Sequence, residues 1–302
     1  MLHTQVLRGL TINASDHPHG AACISAASGL VCQGGRAHVI ADDELHLVTF
    51  HNAHDAGQLH RILAGHLPTQ AKARKRAKPD FESLLALPSP TEFDRVTLVA
   101  LGSGSRPQRC QAVALTLDVT GAPVGAVQRC DLGGLYRPLM ARLGEINIEG
   151  ALVVGPDLVL LHRGGQGGAG NAAVRWPVQT LRRALAEGCV EDTPPTSITP
   201  YELGQIDGIE LGFTDGAALP GGGWLFSAAA ERTGNSFDDG PLAGSVVGLV
   251  GADGRLTAIH RLAQTCKVEG IAARVRPGGT DLCLVTDADD ASQPASMLLA
   301  RL

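Results

Sequence analysis

The amino-acid sequence predicts an all-β chain, a single five-bladed β-propeller of four-stranded blades that takes residues 1–302 as one domain. Three observations predict it. A phrase of one polar residue followed by a short apolar strand recurs, at Ser28, Glu82, Glu149, Asp215 and Glu269, so successive copies start 54, 67, 66 and 54 residues apart. Each copy leads through a turn into a second apolar strand, as Phe81 to Pro88 leads into Val96 to Val99 and Ile148 to Val153 leads into Leu158 to Leu161. Periods of about 60 residues leave room for a four-stranded sheet plus loops and use up the chain, which is the signature of radial repetition. Composition agrees, because 38 glycines and only 3% aromatic residues suit short strands and tight turns. A six-bladed ring and a β-sandwich of look-alike strands are the alternatives.

Residues 5–12 read as a strand that belongs to no complete local repeat. The last period supplies strands near 269–274, 281–287 and 296–301 and stops one short of four. Pairing the N-terminal strand into the last blade closes the ring and removes an open edge. Blade one reads as 30–32, 37–41, 45–50 and 58–63. Residues 64–80, with Pro68, Pro79 and the basic run Lys72, Arg74, Lys75, Arg76 and Lys78, read as a solvated surface loop. Blade two ends in a hairpin of 111–118 and 124–129, and 135–144 predicts a short helical turn. In blade three the glycine-rich 162–171 reads as a rim loop and not a phosphate cradle. Val174 and Trp176 continue as strand where such a cradle needs a helix N-terminus. Helical periodicity within 179–197, with Gly188 as its stop, predicts one inserted helix. Asp253-Gly254 between apolar runs marks a hairpin in blade four.

A net charge of −5 and the absence of any aromatic-flanked basic patch argue against nucleic acid and anionic lipid as partners. No apolar run reaches membrane-spanning length and no secretory leader is visible, which predicts a cytoplasmic protein, or a periplasmic one had a leader been removed. The seven cysteines are scattered and without a CxxC pair, as expected of small buried hydrophobes in a reducing compartment. Cys110 and Cys130 flank a hairpin and are the one conceivable cross-strand pair. No organic cofactor is expected.

Because the first two strands of a repeat are antiparallel, the start of one and the end of the other share an edge of the blade. One mouth of the axial channel should therefore collect Glu82, Glu149, Asp215 and Glu269, with Asp42, Ser103, His162, Arg163, Glu231, Arg232 and Asp287 around them. Carboxylates gathered on one axis repel unless something offsets them. Three answers stay open: a hard cation, Ca²⁺ or Mg²⁺, held by oxygen ligands from Glu82, Glu149, Asp215, Glu269 and Asp287; ion pairs with Arg106, Arg109, Arg163 and Arg232; or capping of backbone N–H groups between blades. Asp287, Asp289 and Asp290 lack the glycine and closing glutamate of an EF-hand. His51, His54 and Asp55 read as a solvated loop, and Gly102 to Ser105 lacks a nucleophile elbow.

The phrases Asp80-Phe81-Glu82-Ser83-Leu84, Asn147-Ile148-Glu149-Gly150, Thr214-Asp215-Gly216-Ala217 and Val268-Glu269-Gly270-Ile271, with Val285-Thr286-Asp287, resemble those of bacterial propellers related to the phytase-like esterase and SdiA-regulated groups. The chain as a whole resembles an uncharacterised bacterial family of that type. The resemblance spans the repeats and implies an acid-rich axial site, often metal-bound, with hydrolysis of esters, phosphate esters or lactones in some relatives. Ser28 in place of an acid departs from it, as does a count of five blades where many relatives have six. The expected function is hydrolysis of a small ester, phosphate ester or sugar lactone. Glu149 or Glu269 would be the catalytic base, and Arg106, Arg163, His162, Glu231 and Arg232 would hold a small, anionic ligand. The alternative is a noncatalytic ligand- or protein-binding propeller whose axial acids are structural.

Overall fold

The computed structural model describes residues 1–89, 91, 95–164, 169–232 and 242–302. Five antiparallel sheets form the five blades of a propeller. Blade one is Ala27–Gln33, Arg36–Ala41, His46–Phe50 and Gln58–Arg61; blade two is Phe81–Pro88, Val96–Gly102, Gln111–Leu117 and Pro123–Asp131. Blade three is Ile148–Val154, Asp157–His162, Ala172–Pro177 and Ser197–Pro200. Blade four is Ile209–Ala218, Trp224–Glu231, Leu242–Val250 and Leu256–Arg261, with a two-residue strand, Gln205–Ile206, added beside its innermost strand. Blade five is Lys267–Arg276, Gly279–Asp287 and Ser296–Arg301, completed by the N-terminal strand Gln5–Gly9. That strand pairs antiparallel with the last one, Gln5 opposite Leu299 and Gly9 opposite Ser296, so the two ends of the chain close one blade.

The core follows from the blades being apolar on both faces. It divides into five buried layers, one between each pair of neighbouring blades. Leu84 and Leu98 meet Ile40 between blades one and two, Trp176 and Leu158 meet Leu85 and Val99 between two and three, and Phe213 and Trp224 meet Leu152 and Val159 between three and four. Ile271 and Leu284 meet Leu225 and Val247 between four and five, and Met297 and Val285 meet Leu30 and Val39 at the closing seam. Truncating one such residue to Ala costs about 2–5 kcal/mol.

Near the axis the innermost strands touch in cyclic order, and the sequence shows why they can. A Cβ on Gly29 would come to 2.9 Å from the backbone nitrogen of Leu84 in the next blade, one on Gly150 to 2.9 Å from the Cα of Asp215, and one on Gly270 to 3.0 Å from the nitrogen of Leu30. The inner ring is therefore narrow because glycine follows the polar residue in three of the repeats.

The expected helical stretches are Gly133–Leu143 and Val178–Glu187. Residues 64–80 differ from the solvated loop expected of them. The basic run folds into a short helix, Ala71–Ala77, and the chain leaving it carries Lys78 inward to the axial mouth. The middle of the glycine-rich segment, 165–168, lies outside the described residues. All seven cysteines are free, Cys110 and Cys130 included, and Cys32 and Cys189 are exposed where buried thiols were expected. No helix among the described residues is long and apolar enough to cross a membrane.

Candidate functional site

Every blade opens on the same backbone device. Pairing between its first two strands skips one residue near the start of the innermost strand: Ser28, Glu82, Glu149, Thr214 and Glu269. A β-bulge leaves its extra residue out of the ladder and re-aims its side chain, which is how each blade presents one polar group at the axis. The register corrects the expectation for blade four. Thr214, not Asp215, occupies the place of the three glutamates. Asp215 stands one residue on, fully buried, its Oδ2 accepting the Ile271 N–H of blade five at 2.9 Å. Burial pushes its carboxyl well above the usual range.

The five bulge residues divide by chemistry. Ser28 Oγ donates to the Phe81 carbonyl at 2.5 Å and Thr214 Oγ1 to the Val268 carbonyl at 2.7 Å, each tying its blade to the next. An ionised carboxylate cannot make that bond, since it only accepts. Among the described residues none of Glu82, Glu149 and Glu269 bonds to the backbone of a neighbouring blade. Structural ties thus fall to the hydroxyls, and the three glutamates are left facing one another at the mouth.

Two lysines and two arginines meet them. Lys78 pairs with Asp42, lies 2.9 Å from Asp80 and 4.0 Å from Glu82. Arg109 reaches Asp80 at 2.7 Å, and Ser103 Oγ donates to the same carboxylate. Arg163 lies 3.6 Å from Glu149 and 3.2 Å from Glu231, and it runs through space that only Gly212 leaves free, where a Cβ would come to 2.7 Å from its Cγ. Glu149 also accepts from the Asn147 amide. Lys267 sits among four carboxylates: Asp287 at 3.3 Å, Glu269 at 3.4 Å, and Glu231 and Asp289 at 3.5 Å.

Among the described residues eight carboxylates therefore share four cations, most of them shielded from solvent. The excess negative charge appears as protons held. Burial, only partly offset by Lys267 and Arg163, pushes Glu269 up to about 8. Asp42 is raised to about 7, mainly by burial, against the pull of Lys78. Glu82 is raised well above the carboxylate range by burial and by Asp80, Asp42 and Glu149. Glu149 is raised as well, by burial first, with Arg163 and Lys267 opposing the rise. Beside this ring, between blades one and five, lies a cavity of about 530 Å³ bordered by Asp42, Lys78, Lys267, Asp287 and Asp289.

The structure brings Glu82, Glu149, Arg163, Glu231, Glu269 and Asp287 into this network. Asp42, Ser103 and Arg109 join it as well, whereas His162 and Arg232 stand outside it. His162 is buried, its Nδ1 accepting the Asn147 N–H at 3.1 Å, so its ring braces the strand that presents Glu149. Arg106 begins the turn Pro107–Arg109, and it is Arg109 that pairs with Asp80. Arg232 is exposed at the border of the undescribed 233–241. Sequence reading missed Lys78, Asp80 and Lys267. The signal was present, since Asp80-Phe81-Glu82, Asn147-Ile148-Glu149 and Lys267-Val268-Glu269 all place a polar residue two before the glutamate.

Among the described residues two groupings have the residue types to hold a metal. Asp42, Asp80 and Glu82 each offer an oxygen within 4.8 Å of the others, which suits a hard cation, but the Lys78 ammonium already lies against these oxygens. His17, Glu44 and His46 form the second, buried group. There the Nδ1 of His17 accepts N–H bonds from His19 at 3.3 Å and Ala21 at 3.2 Å, which leaves the proton on Nε2, against Glu44. A metal-bound imidazole needs the reverse, a bare nitrogen on the metal and an N–H donated outward. Glu44 is also paired with Arg74 at 2.6 Å, and this cluster pins the short basic helix to blade one.

The model of a family of unknown function (DUF6929) matches residues 23–302, and the chain belongs to that family. No curated protein matches it. Solved structures that resemble it include an α-L-arabinanase of Cellvibrio cellulosa complexed with arabinohexaose, 12% identical over 92% of each chain with a TM-score of 0.49. An exo-1,5-α-L-arabinanase from a bovine ruminal metagenomic library is 10% identical over 93% of each chain, with a TM-score of 0.48. Regucalcin, a calcium-binding protein of Agrobacterium tumefaciens, is 12% identical over 92% of each chain, with a TM-score of 0.41. At such identities and scores they say nothing of this chain's chemistry.

Proposed function

We propose that this member of DUF6929 is a small-molecule hydrolase whose axial mouth works by carboxyl acid–base catalysis, acting on an ester or sugar lactone. One observation carries the reading: the bulge position is used for blade-to-blade ties where it is Ser28 or Thr214, and is released from that duty where it is Glu82, Glu149 or Glu269. Buried carboxyls that make no backbone tie between blades are costly to keep, and perturbed acids gathered at a mouth favour proton transfer. Glu269, with its proton retained near neutrality, suits the general acid. Glu149, braced by Arg163 and Asn147, suits the general base.

In this scheme Glu149 takes a proton from water as the water oxygen attacks the carbonyl carbon. The C–O bond to the leaving oxygen then breaks as Glu269 delivers its proton there. A phosphate ester fits less well, because the four cations are already paired and a dianion would enter a field of excess carboxylates. The competing reading, a noncatalytic propeller with structural acids, describes Asp215 well, since its carboxylate holds the Ile271 N–H.

The test is a panel of carboxylic esters, lactones and phosphate esters run with the purified protein, Glu149→Gln and Glu269→Gln. We expect turnover of a neutral ester or lactone, with kcat/KM reduced about 10²–10⁴-fold in either variant while the fold persists. Turnover unchanged in both folded variants would refute the assignment.

A further inference from the structure

We propose that Lys78 and Lys267 are the resident cations of the axial site, standing where a divalent metal would otherwise balance its carboxylates, so that the site operates without a divalent ion. The inference rests on the axial mouth being the functional site proposed above, and it concerns how that site is held together.

The placement of the two ammonium groups carries it. Lys267 is buried and has four carboxylates around its Nζ at 3.3–3.5 Å, two from its own blade's strands, one from the following turn and one, Glu231, from blade four. Lys78 does the same between blades one and two, joining Asp42 of the first to Asp80 and Glu82 of the second. Such a gathering of oxygens from neighbouring blades is what a hard cation uses, but Ca²⁺ takes its oxygens at about 2.3–2.6 Å and Mg²⁺ closer still. Here each centre is an ammonium at hydrogen-bond and ion-pair distances. An ammonium and a dication cannot share one cage, because the carboxylates that would bind the metal are already turned to the lysine and the two positive centres repel.

The lysines cannot easily withdraw. Lys267 lies on the innermost strand, paired opposite Asp287, so its stem is fixed by the sheet. Lys78 follows the short helix that Arg74 anchors to Asp43 and Glu44, at 2.7 and 2.6 Å. Both lysines hold their protons more firmly than in water, because the surrounding carboxylates together outweigh the cost of burial. The lysines also fall at the joints after blades one and four, the two blades whose bulge residue is a hydroxyl. Each of those joints therefore has one hydroxyl tie and one ammonium bridge.

The test is calorimetric titration of the EDTA-treated wild-type protein with CaCl₂ and with MgCl₂, beside thermal unfolding with and without about 1 mM of each ion. We expect no saturable heat and no shift of Tm beyond about 1 °C. Lys267→Met, which leaves Glu231 with Arg163 alone and removes the ammonium from Glu269, Asp287 and Asp289, should have a lower Tm that Ca²⁺ raises again, while Lys267→Arg keeps the charge and stays indifferent to Ca²⁺. Saturable binding of one divalent ion by the wild type, lost in Glu269→Gln, would overturn the proposal. So would a folded Lys267→Met that ignores Ca²⁺. If that variant does not fold, the wild-type titration still decides. Failure to hydrolyse any ester or lactone would refute the hydrolase reading and leave this titration intact, so the two fail separately.

Discussion

Replacing Glu269 by Gln should make stability less dependent on pH. The residue is 5% exposed, and its carboxyl moves from an ordinary value of 4.5 to about 8 in the folded chain, where burial outweighs the help of Lys267 and Arg163. A group whose folded value is raised contributes stability fully present below its unfolded value and lost as pH rises through the folded one. For Glu269 the window runs from about 4.5 to about 8. At about 1.4 kcal/mol per unit, the loss between pH 5 and 8 comes to roughly 3.5 kcal/mol for the carboxyl alone. The neighbouring charges of Glu149 and Asp287 contribute to that rise and change with pH themselves, so a difference of about 2–3 kcal/mol between wild type and Glu269→Gln is the reasonable expectation. Urea unfolding of both proteins at pH 5 and pH 8, with m-values checked for equality, measures it. If the two proteins lose the same stability between these pH values, Glu269 is not the proton holder and the electrostatic account of the mouth fails.

Two further outcomes follow from the axial geometry. Ser28→Ala removes the hydroxyl donor from the Phe81 carbonyl and should cost about 1–3 kcal/mol by urea unfolding, whereas Glu82→Gln, which loses no backbone bond, should cost less or stabilise. Gly150→Ala drives a Cβ to 2.9 Å from the Asp215 Cα and 3.0 Å from Leu161, and should cost about 1–3 kcal/mol, while Gly170→Ala, with nothing within 4 Å, should stay within about 0.5 kcal/mol by the same assay.

Most of the architecture is legible in the order of residues alone, because a propeller repeats one burial problem five times and each solution leaves the same trace. The pairing of Gln5–Gly9 into the last blade follows from counting strands, since an unpaired edge at both ends of the chain has one economical remedy. Register is harder. Thr214-Asp215-Gly216 looks like Ile148-Glu149-Gly150 when acid and glycine are aligned, yet the ladder skips Thr214 and pairs Asp215 with Ser227. A one-residue shift of this kind changes which side chain leaves the sheet, and only the pairing reveals it.

The lysines escape sequence reading for a different reason. Lys78 closes a run of basic residues whose composition points to solvent, and what reverses that reading is tertiary: Arg74 is anchored by Asp43 and Glu44, and the chain is thereby aimed at Asp42 and Asp80. Lys267 lies two residues before Glu269 in its strand, and Glu269 is the one that the repeat marks out. Once both are placed, the structural duty of the once-per-blade polar residue can be read blade by blade. The fold needs a donor at that position to reach the next blade's carbonyl, and Ser28 and Thr214 supply it. A glutamate there makes no such bond and is desolvated, and the hydrolase proposed above is the reading that gives its presence in blades two, three and five a use at the mouth.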